Sequence, residues 1–398
     1  MMDPSAGALA GRSMVLTLRD SVRFGCGAIA QLPGLIREVG GQRAFVVTDA
    51  GVVASGVVDR VLVVLAAANI ETGRFEGVQP NPDQATVAHG SAALQAFGLA
   101  GTVVIPLGGG SSMDTAKALS LHAMNPAVAV SALGYDDPVL KGGRPLIAVP
   151  TTAGTGAETN SFGVITDEAV GRKDYIGHAS LLPLATILDP ELTLGLPPSA
   201  TAATGIDAMT HSIESLLSRN PNPFAEALAL QVIRTVAQFL PRAYRDGSDI
   251  EARSQLLMAS HLAGVGQASG TGVGLVHALG HALGTIGHLP HGTALATVMP
   301  EVLAFYRGGS DRELALVAVA LGVASPADDT AQAVAAAISG VDALLRRVGQ
   351  RRSLKALGIT PDQEPRVVRD GLADPAIRNS PRLPTEAEAA DIIAAVRG

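Results

Sequence analysis

The chain has 398 residues, of which 47% are apolar, with a formal net charge of −7 and one cysteine. This length and composition predict a globular protein of one large or two domains, and one cysteine excludes an internal disulfide framework. The acidic balance offers no basic surface for nucleic acid or anionic membranes. The longest apolar run, residues 314–324, is shorter than the ~18 residues of a membrane-spanning helix. Because residues 1–13 show no signal-peptide pattern, we expect a cytoplasmic protein without membrane or nucleic-acid partners.

The first half of the chain alternates strand-like and helical patterns. Apolar, β-branched runs predict strands at residues 44–49, 102–107, 145–152 and 185–188, and a small β-ribbon is predicted from residues 14–19 and 22–24. Helical spacing occupies residues 31–39, 57–68 and 86–97. This order of strand, loop and helix predicts a mostly parallel sheet with helices on both faces. We therefore predict an α/β domain over residues 1–190.

After Pro190 strand-like runs become rare, and long segments rich in Ala and Leu show helical spacing instead. They occupy residues 200–217, 223–239, 251–263 and 331–347. Residues 371–384, which contain three prolines, are predicted to be a surface connection before a short final helix. Residues 191–398 are therefore predicted to form an all-helical domain.

A glycine-rich loop follows the predicted strand at residues 102–107. The run Gly108-Gly-Gly allows a sharp turn and a close backbone approach, and the N-terminus of the next helix can hold a phosphate. A tight turn before a helix capped by Ser111, Ser112 or Asp114 explains the same triplet equally well. The loop is neither a G-x-G-x-x-G fingerprint nor a P-loop.

Two further segments favour a nucleotide site. Pro150-Thr-Thr-Ala-Gly-Thr-Gly-Ala-Glu158 is a second loop at a strand end, and its hydroxyl groups and glycines suit phosphate or ribose. Asp49 ends an earlier strand, where a carboxylate can accept hydrogen bonds from an adenosine ribose. Because this carboxylate would also repel the 2′-phosphate of NADP, Asp49 predicts that the coenzyme is NAD rather than NADP.

Four of the nine histidines fall within one window of 15 residues, where chance predicts about a third of one. His277 and His281 are four residues apart, so they share one face of a helix. Gly280 and Gly284 lie on the same face and are expected to leave bare backbone for a closely fitting ligand. His291 follows a proline at the predicted start of the next helix.

Asp207 and His211 form a second pair with the same spacing in a predicted helix. A solvated polar face explains one such pair, and a satisfied core residue or a helix cap explains any single histidine. A carboxylate together with two or three imidazoles is, however, a suitable ligand set for a divalent transition metal with an open coordination position.

The chain resembles the iron-containing (group III) alcohol dehydrogenases over nearly its whole length. The matching motifs are Pro80-Asn81-Pro82, Gly108-Gly-Gly-Ser-Ser-Met-Asp114, the loop at 150–158, Leu188-Asp-Pro-Glu-Leu, Thr204-Gly-Ile-Asp207-Ala-Met-Thr-His211, and His277-Ala-Leu-Gly-His281 through Pro290-His291-Gly292. The resemblance implies the dehydroquinate synthase-like fold. A Rossmann-like N-terminal domain would bind the dinucleotide, an all-α C-terminal domain would bind metal and substrate, and the active site would lie in the cleft between them.

The resemblance also implies roles for individual residues. It assigns the metal, Fe²⁺ or alternatively Zn²⁺, to Asp207, His211, His277 and His291. It leaves His281 near the nicotinamide as a proton relay, so that His281 and Asp207 are the candidate catalytic residues. We interpret His288 as a surface histidine. The implied cofactor contacts are Asp49, Asn81, Gly109, Gly110, Ser111, Asp114, Thr151, Thr152, Thr155 and Lys173.

The implied reaction interconverts a small alcohol and its aldehyde or ketone by hydride transfer with NAD(H), in a homodimeric enzyme. The metal would act as a Lewis acid toward the substrate oxygen. One alternative is a maleylacetate reductase, although that class typically lacks the full ligand set. Another is an NAD-binding, metal-dependent lyase on the dehydroquinate synthase-like scaffold, which would show no net NADH turnover. A binding protein without catalytic activity would have no reason to combine a metal site with a dinucleotide site.

Overall fold

The computed structural model describes residues 21–135, 137–167 and 172–398. Residues 14–19, predicted as half of a β-ribbon, lie outside this part of the chain. The strands of the described residues are β1 (Val22–Phe24), β2 (Arg43–Asp49), β3 (Glu71–Val78), β4 (Thr102–Gly108), β5 (Ile147–Pro150), β6 (Phe162–Asp167), β7 (Arg172–Gly177) and β8 (Ala185–Leu188). The helices that accompany the first four strands are α1 (Leu32–Glu38), α2 (Ala50–Ala54), α3 (Val57–Ala67), α4 (Gln84–Phe97) and α5 (Gly110–Met124).

Six strands form one parallel sheet in the order β1-β8-β5-β4-β2-β3, and β6 pairs with β7 in a separate antiparallel hairpin. Adjacent residues of β2 point to opposite faces of the sheet. Ala44 and Val46 pack in a core with residues of α1 and α3, whereas Phe45 and Val47 pack in a second core with residues of α4 and α5. Because both faces are buried, the strand reads as a continuous apolar run, as in other parallel sheets.

Helices dominate the rest of the chain, as the sequence predicts. They are α6 (Pro198–Leu217), α7 (Pro223–Arg245), α8 (Ile250–Gly266), α9 (Leu275–Gly287), α10 (His291–Phe305), α11 (Asp311–Leu321), α12 (Thr330–Arg347), α13 (Glu364–Ala373) and α14 (Glu386–Ala395). In the described part of the chain, none of the helices has the length and apolar character needed to cross a bilayer.

The chain divides into two compact units. Residues 21–201 cluster with Arg245–His261, and Ala202–Tyr244 cluster with Leu262–Gly398. Two buried polar contacts explain why most of α8 belongs with the α/β residues. Arg253 donates a hydrogen bond to Thr201 Oγ1 at 2.8 Å, and Nδ1 of His261 lies 3.1 Å from a carboxylate oxygen of Glu158.

Some elements differ from the sequence-based expectation. Strand β3 and the β6–β7 hairpin were not predicted, because their sequences mix glycines and charged residues among the apolar ones. In β3, the space beside Gly73 is filled by the rings of Phe97 and Phe45, so the strand lacks a side chain that would have marked it as apolar. The predicted surface connection at 371–384 begins inside α13, where Gly371 is buried against Leu279.

Candidate active site

Helix α6 presents three polar side chains on one face. Asp207, His211 and Glu214 are spaced four and then three residues apart, so they lie above one another along the helix. All three are buried, as are the apolar residues Ile206 and Met209 beside them. A buried polar stripe inside an otherwise apolar helix requires partners from neighbouring helices.

Those partners are histidines at the starts of α9 and α10. Asp207 Oδ1 lies 3.7 Å from His211 Nδ1, 3.5 Å from His277 Nε2 and 3.5 Å from His291 Nε2. The ligand atoms of Asp207, His211 and His277 all lie within 4.8 Å of one another. The structure therefore brings together the four residues that were predicted to bind a metal.

Gly292 permits this convergence of α6 and α10. A Cβ atom on Gly292 would lie only 1.9 Å from the backbone oxygen of Ala203 on α6. Because glycine has no Cβ, α10 passes directly over the backbone of α6, one residue after His291. The close approach places the His291 ring beside Asp207.

The atoms that face one another in this group lack other partners. Among the buried polar atoms of the described residues, Asp207 Oδ1, His211 Nδ1 and His277 Nε2 have no hydrogen-bond partner. Leaving a buried polar group unsatisfied costs about 1–3 kcal/mol. A carboxylate oxygen and imidazole nitrogens that converge in this way form a set that could hold a divalent cation.

The electrostatics of the group also favour a cation. Burial raises the pKa of Asp207, but the imidazoles of His211 and His291 outweigh this effect and hold the pKa well below its ordinary value. Burial lowers the pKa of His277, but Glu214 and Asp207 raise it to about 9. Burial lowers the pKa of His211 to about 4. The carboxylates of Asp207 and Glu214 therefore create a negative field that stabilises positive charge at His277.

His281 lies next to this group and has a carboxylate partner of its own. Its Nδ1 is 2.8 Å from Asp374 Oδ2, and its ring stacks on that of His291 with centroids 5.3 Å apart. His288 is exposed and forms the left-handed C-cap of α9 with φ of 49°, in agreement with its interpretation as a surface residue.

The expectation that Gly280 leaves room for a ligand is wrong. A Cβ atom on Gly280 would lie 2.4 Å from Leu295 Cδ2 and 3.4 Å from Leu295 Cα, so this glycine makes room for α10. Around Gly284 the nearest atoms, on Leu289 and Ala294, lie at ordinary contact distances of 3.7 and 3.9 Å. At Gly280, the backbone of α9 therefore packs against α10.

Most of the predicted cofactor residues lie in the other unit, near the carboxyl ends of the parallel strands. Asp49 ends β2, Gly108 ends β4, and Thr151 follows β5. Strands β2 and β4 are neighbours in the sheet. The strand that follows β2 in the sequence, β3, lies on one side of this pair, and the strand that follows β4, β5, lies on the other. This change of direction between neighbouring strands is the position where α/β sheets bind ligands.

The start of α5 differs from the capping expectation. Gly109 is the N-cap residue and provides no side-chain cap, while Ser111, Ser112 and Asp114 all lie inside the helix. Ser112 Oγ instead donates to Asp49 Oδ2 at 3.3 Å. The backbone N–H groups of the first turn are therefore not used by a side-chain cap, which leaves them suited to an anion.

Two threonines of the second loop lie directly on this turn. A Cβ atom on Gly109 would lie 3.1 Å from Thr152 Cγ2, and one on Gly110 would lie 2.8 Å from Thr155 Cγ2. Beneath them, the buried Nζ of Lys117 donates to Ala157 O, Asn160 Oδ1 and Phe162 O. This lysine, which no sequence motif predicted, connects the second loop to α5.

The remaining predicted cofactor residues group around the β6–β7 hairpin. Asn81, in the left-handed region with φ of 51°, accepts a hydrogen bond through its backbone oxygen from Thr166, which pairs with Lys173 across the hairpin. Desolvation raises the pKa of Asp114 to about 6, although Lys117 and Lys173 oppose this shift.

Comparison with known proteins identifies the family. Residues 20–190 match the profile of the iron-containing alcohol dehydrogenases, and residues 201–396 match the C-terminal profile of the Fe-containing alcohol dehydrogenase family. The chain belongs to the iron-containing alcohol dehydrogenase family.

Individual members of this family are similar over most of their length. Choline dehydrogenase of Bacillus subtilis is 35% identical over 91% of this chain and 89% of its own. Lactaldehyde reductase of Escherichia coli is 34% identical over 95% of this chain and 97% of its own. The crystal structure of a 1,3-propanediol oxidoreductase, 32% identical, superposes with a TM-score of 0.92 over 97% of this chain and 100% of its own.

Membership in the iron-containing alcohol dehydrogenase family confirms several predictions. The fold class, an α/β domain with a parallel sheet followed by a helical domain, is confirmed. So are the enzyme class, the interconversion of alcohols and aldehydes, and the use of NAD and a metal. The assignments of individual metal, cofactor and catalytic residues stay predictions.

Two carboxylates near the histidines of this alcohol dehydrogenase were missed in the sequence. Glu214 continues the spacing of Asp207 and His211, so helical periodicity could have identified it. Asp374 carries no such signal, since it is 93 positions from its partner His281 and precedes a proline in a segment predicted as a surface connection.

Replacing Gly292 tests whether the packing of α10 on α6 positions His291. We expect Gly292→Ala to lower the free energy of unfolding by about 1–3 kcal/mol, because the two helices must separate. We also expect it to reduce the amount of bound metal measured by elemental analysis. Gly284→Ala is the matched control. With ordinary contacts around it, this change should keep the metal and alter stability by no more than about 1 kcal/mol, in the stabilising direction. Equal effects of the two substitutions would contradict this role of Gly292.

Proposed function

We propose that this alcohol dehydrogenase binds its divalent metal through Asp207, His211, His277 and His291 and carries out its reaction there. The observation that supports the proposal is a buried carboxylate oxygen with three imidazole nitrogens 3.5–3.7 Å away. Ligand atoms that share one metal ion at about 2.0–2.2 Å lie no more than about 4.4 Å apart, so these spacings would fit a shared ion. Nitrogen and oxygen ligands suit both Fe²⁺ and Zn²⁺.

The proposed reaction interconverts a small alcohol and its aldehyde or ketone. When bound, the metal supplies Lewis-acid polarisation of the substrate oxygen, and NAD(H) accepts or supplies the hydride. The relatives named for choline, lactaldehyde and 1,3-propanediol support a small alcohol or carbonyl compound as the substrate. Asp207 contributes the negative charge that holds the imidazoles and the cation together.

We assign the transfer of the substrate proton to His281. Burial raises the pKa of Asp374, but the hydrogen bond from His281 outweighs it and keeps the pKa below its ordinary value. Asp374 is therefore a carboxylate at neutral pH and accepts a hydrogen bond from Nδ1 of His281. This contact fixes the orientation of the ring and makes Nε2 the atom at which a proton is gained or lost.

For the dinucleotide, we propose the residues at the strand ends of the α/β unit. The uncapped first turn of α5 with Gly109, Gly110 and Ser111 would hold the pyrophosphate, next to Thr151, Thr152 and Thr155. Asp49, at the change of direction between β2 and β4, would accept hydrogen bonds from the ribose. Asn81, Asp114 and Lys173 would complete the site.

The proposal extends to organisation and location. Residues 1–190 would serve the dinucleotide, and residues 191–398 would serve the metal and the substrate. We also propose a homodimer in the cytoplasm. A single, exposed cysteine supports a reducing compartment, because extracellular proteins more often carry paired cysteines.

A screen of NADH oxidation tests the reaction directly. We expect the purified protein to oxidise NADH with small aldehydes or ketones, to lose this activity on chelation, and to regain it with Fe²⁺ or Zn²⁺, because the substrate oxygen is polarised by the metal. Full turnover by metal-free protein would contradict the metal-dependent mechanism. Absence of net NADH turnover in metal-loaded protein would favour the lyase alternative.

The same assay separates the proton relay from the metal ligands. His281→Gln should lower kcat by about 10²–10⁴-fold, the range expected when a general acid–base group is lost, while its metal content stays that of the wild type. His291→Ala should lose activity and bind the metal more weakly than the wild type. Loss of metal in His281→Gln would show that His281 acts in metal binding instead.

Replacing Asp49 tests the coenzyme preference. Asp49 Oδ1 accepts hydrogen bonds from the N–H groups of Gly51 and Val52 and so caps α2, which an asparagine can also do. We expect Asp49→Asn to shift the ratio of kcat/KM for NAD and NADP toward NADP by about tenfold, because it removes one negative charge near the 2′-phosphate.

Asp59→Asn is the matched control for this experiment. Asp59 is an exposed carboxylate in the first turn of α3, in the same unit of the protein. Its replacement should leave the coenzyme ratio unchanged. An unchanged ratio in Asp49→Asn as well would remove Asp49 from the specificity argument.

A further inference from the structure

Glu214 reaches from α6 to the first turn of α9. Its Oε1 accepts the backbone N–H groups of Val276 at 2.7 Å and His277 at 3.3 Å, and its Oε2 lies 2.6 Å from Nδ1 of His277. The N-cap residue of α9, Gly274, provides no side-chain cap. Glu214 therefore satisfies N–H groups that the start of α9 leaves without helical partners.

The same carboxylate decides which nitrogen of His277 carries the proton. Oε1 of Glu214 already accepts two backbone N–H groups, and Oε2 of the same carboxylate faces Nδ1 of His277. A carboxylate only accepts, so Nδ1 of His277 must be the donor. In a neutral ring, the lone pair then lies on Nε2, the atom 3.5 Å from Asp207 Oδ1.

We propose that Glu214 is a positioning residue for metal binding, which holds His277 in the tautomer whose Nε2 lone pair faces Asp207 and seats the helix that carries it. This inference rests on the metal site of the proposed function and adds a residue that is not itself a ligand. Carboxylates that accept from the distal nitrogen of a ligating histidine commonly fix its tautomer and raise its basicity.

A glutamine at position 214 would have nearly the same shape but the opposite effect on this tautomer. The two backbone N–H groups at the Oε1 position require an acceptor, so they place the amide oxygen there. The amide –NH₂ then occupies the Oε2 position and donates to Nδ1 of His277. The ring proton must move to Nε2, where it occupies the lone pair that a metal would use.

The test is the affinity of the full-length protein for Zn²⁺ and for Fe²⁺, measured by competition with a chelator. We expect Glu214→Gln to bind each ion 10–100-fold more weakly than the wild type, the range typical of such outer partners. Asp374→Asn is the matched control, since Asp374 makes the same kind of contact, at 2.8 Å, with Nδ1 of a histidine on the same helix. Because His281 lies outside the proposed ligand set, Asp374→Asn should keep the affinity of the wild type.

Thermal unfolding distinguishes tautomer control from helix capping. The glutamine variant keeps both backbone hydrogen bonds of the helix cap, whereas Glu214→Ala loses them. Zn²⁺ should therefore raise the melting temperature of Glu214→Gln less than that of the wild type, although the cap is intact. An equal rise with Zn²⁺ in the wild type and Glu214→Gln, together with a smaller rise in Glu214→Ala, would assign Glu214 to the helix cap alone and overturn the inference.

The possible results separate this inference from the proposed function. Equal affinities of wild type and Glu214→Gln would overturn the positioning role and leave the metal site in place. An equal loss of affinity in Asp374→Asn would overturn the specific link to His277. A wild-type protein that binds neither ion would overturn the metal site and the positioning role together.

Discussion

The packing of α6, α9 and α10 depends on one buried carboxylate oxygen, Oδ1 of Asp207. It faces imidazole nitrogens of His211, His277 and His291, and it has no hydrogen-bond partner among the described residues. Ionised carboxylates inside a protein are stable only when charge or hydrogen bonds compensate for lost hydration. Three helices must therefore meet at this oxygen, and Gly292 allows α10 to come close enough.

Helix α9 carries two histidines with the same kind of partner and different neighbours. His277 contacts Glu214 and faces Asp207, whereas His281 contacts Asp374 and stacks on His291. A carboxylate fixes the proton of each ring at Nδ1 and orients Nε2. The spacing of four residues along one helix thus places a proposed metal ligand and a proposed proton relay side by side.

The features that can be predicted from the sequence are those whose residues all lie in a single helix or strand. The apolar runs of β2 and β4, and the pairs Asp207/His211 and His277/His281, are local patterns, and the structure brings the two pairs together. Asp374 and the contacts of Gly280 depend on the tertiary packing of segments far apart in the sequence. Gly280 illustrates the difference, because a glycine that leaves space looks the same in sequence whether a ligand or a neighbouring helix fills that space.

In the proposed site, Asp207 joins three imidazoles around a single metal ion. X-ray absorption spectroscopy at the K-edge of protein loaded with one equivalent of Fe²⁺ or Zn²⁺ tests it directly. We expect a first shell of nitrogen and oxygen atoms at about 2.0–2.2 Å with the multiple-scattering signal of three imidazoles, and loss of one imidazole in His291→Ala. A shell of oxygen atoms alone, or the same imidazole signal in wild type and His291→Ala, would contradict it.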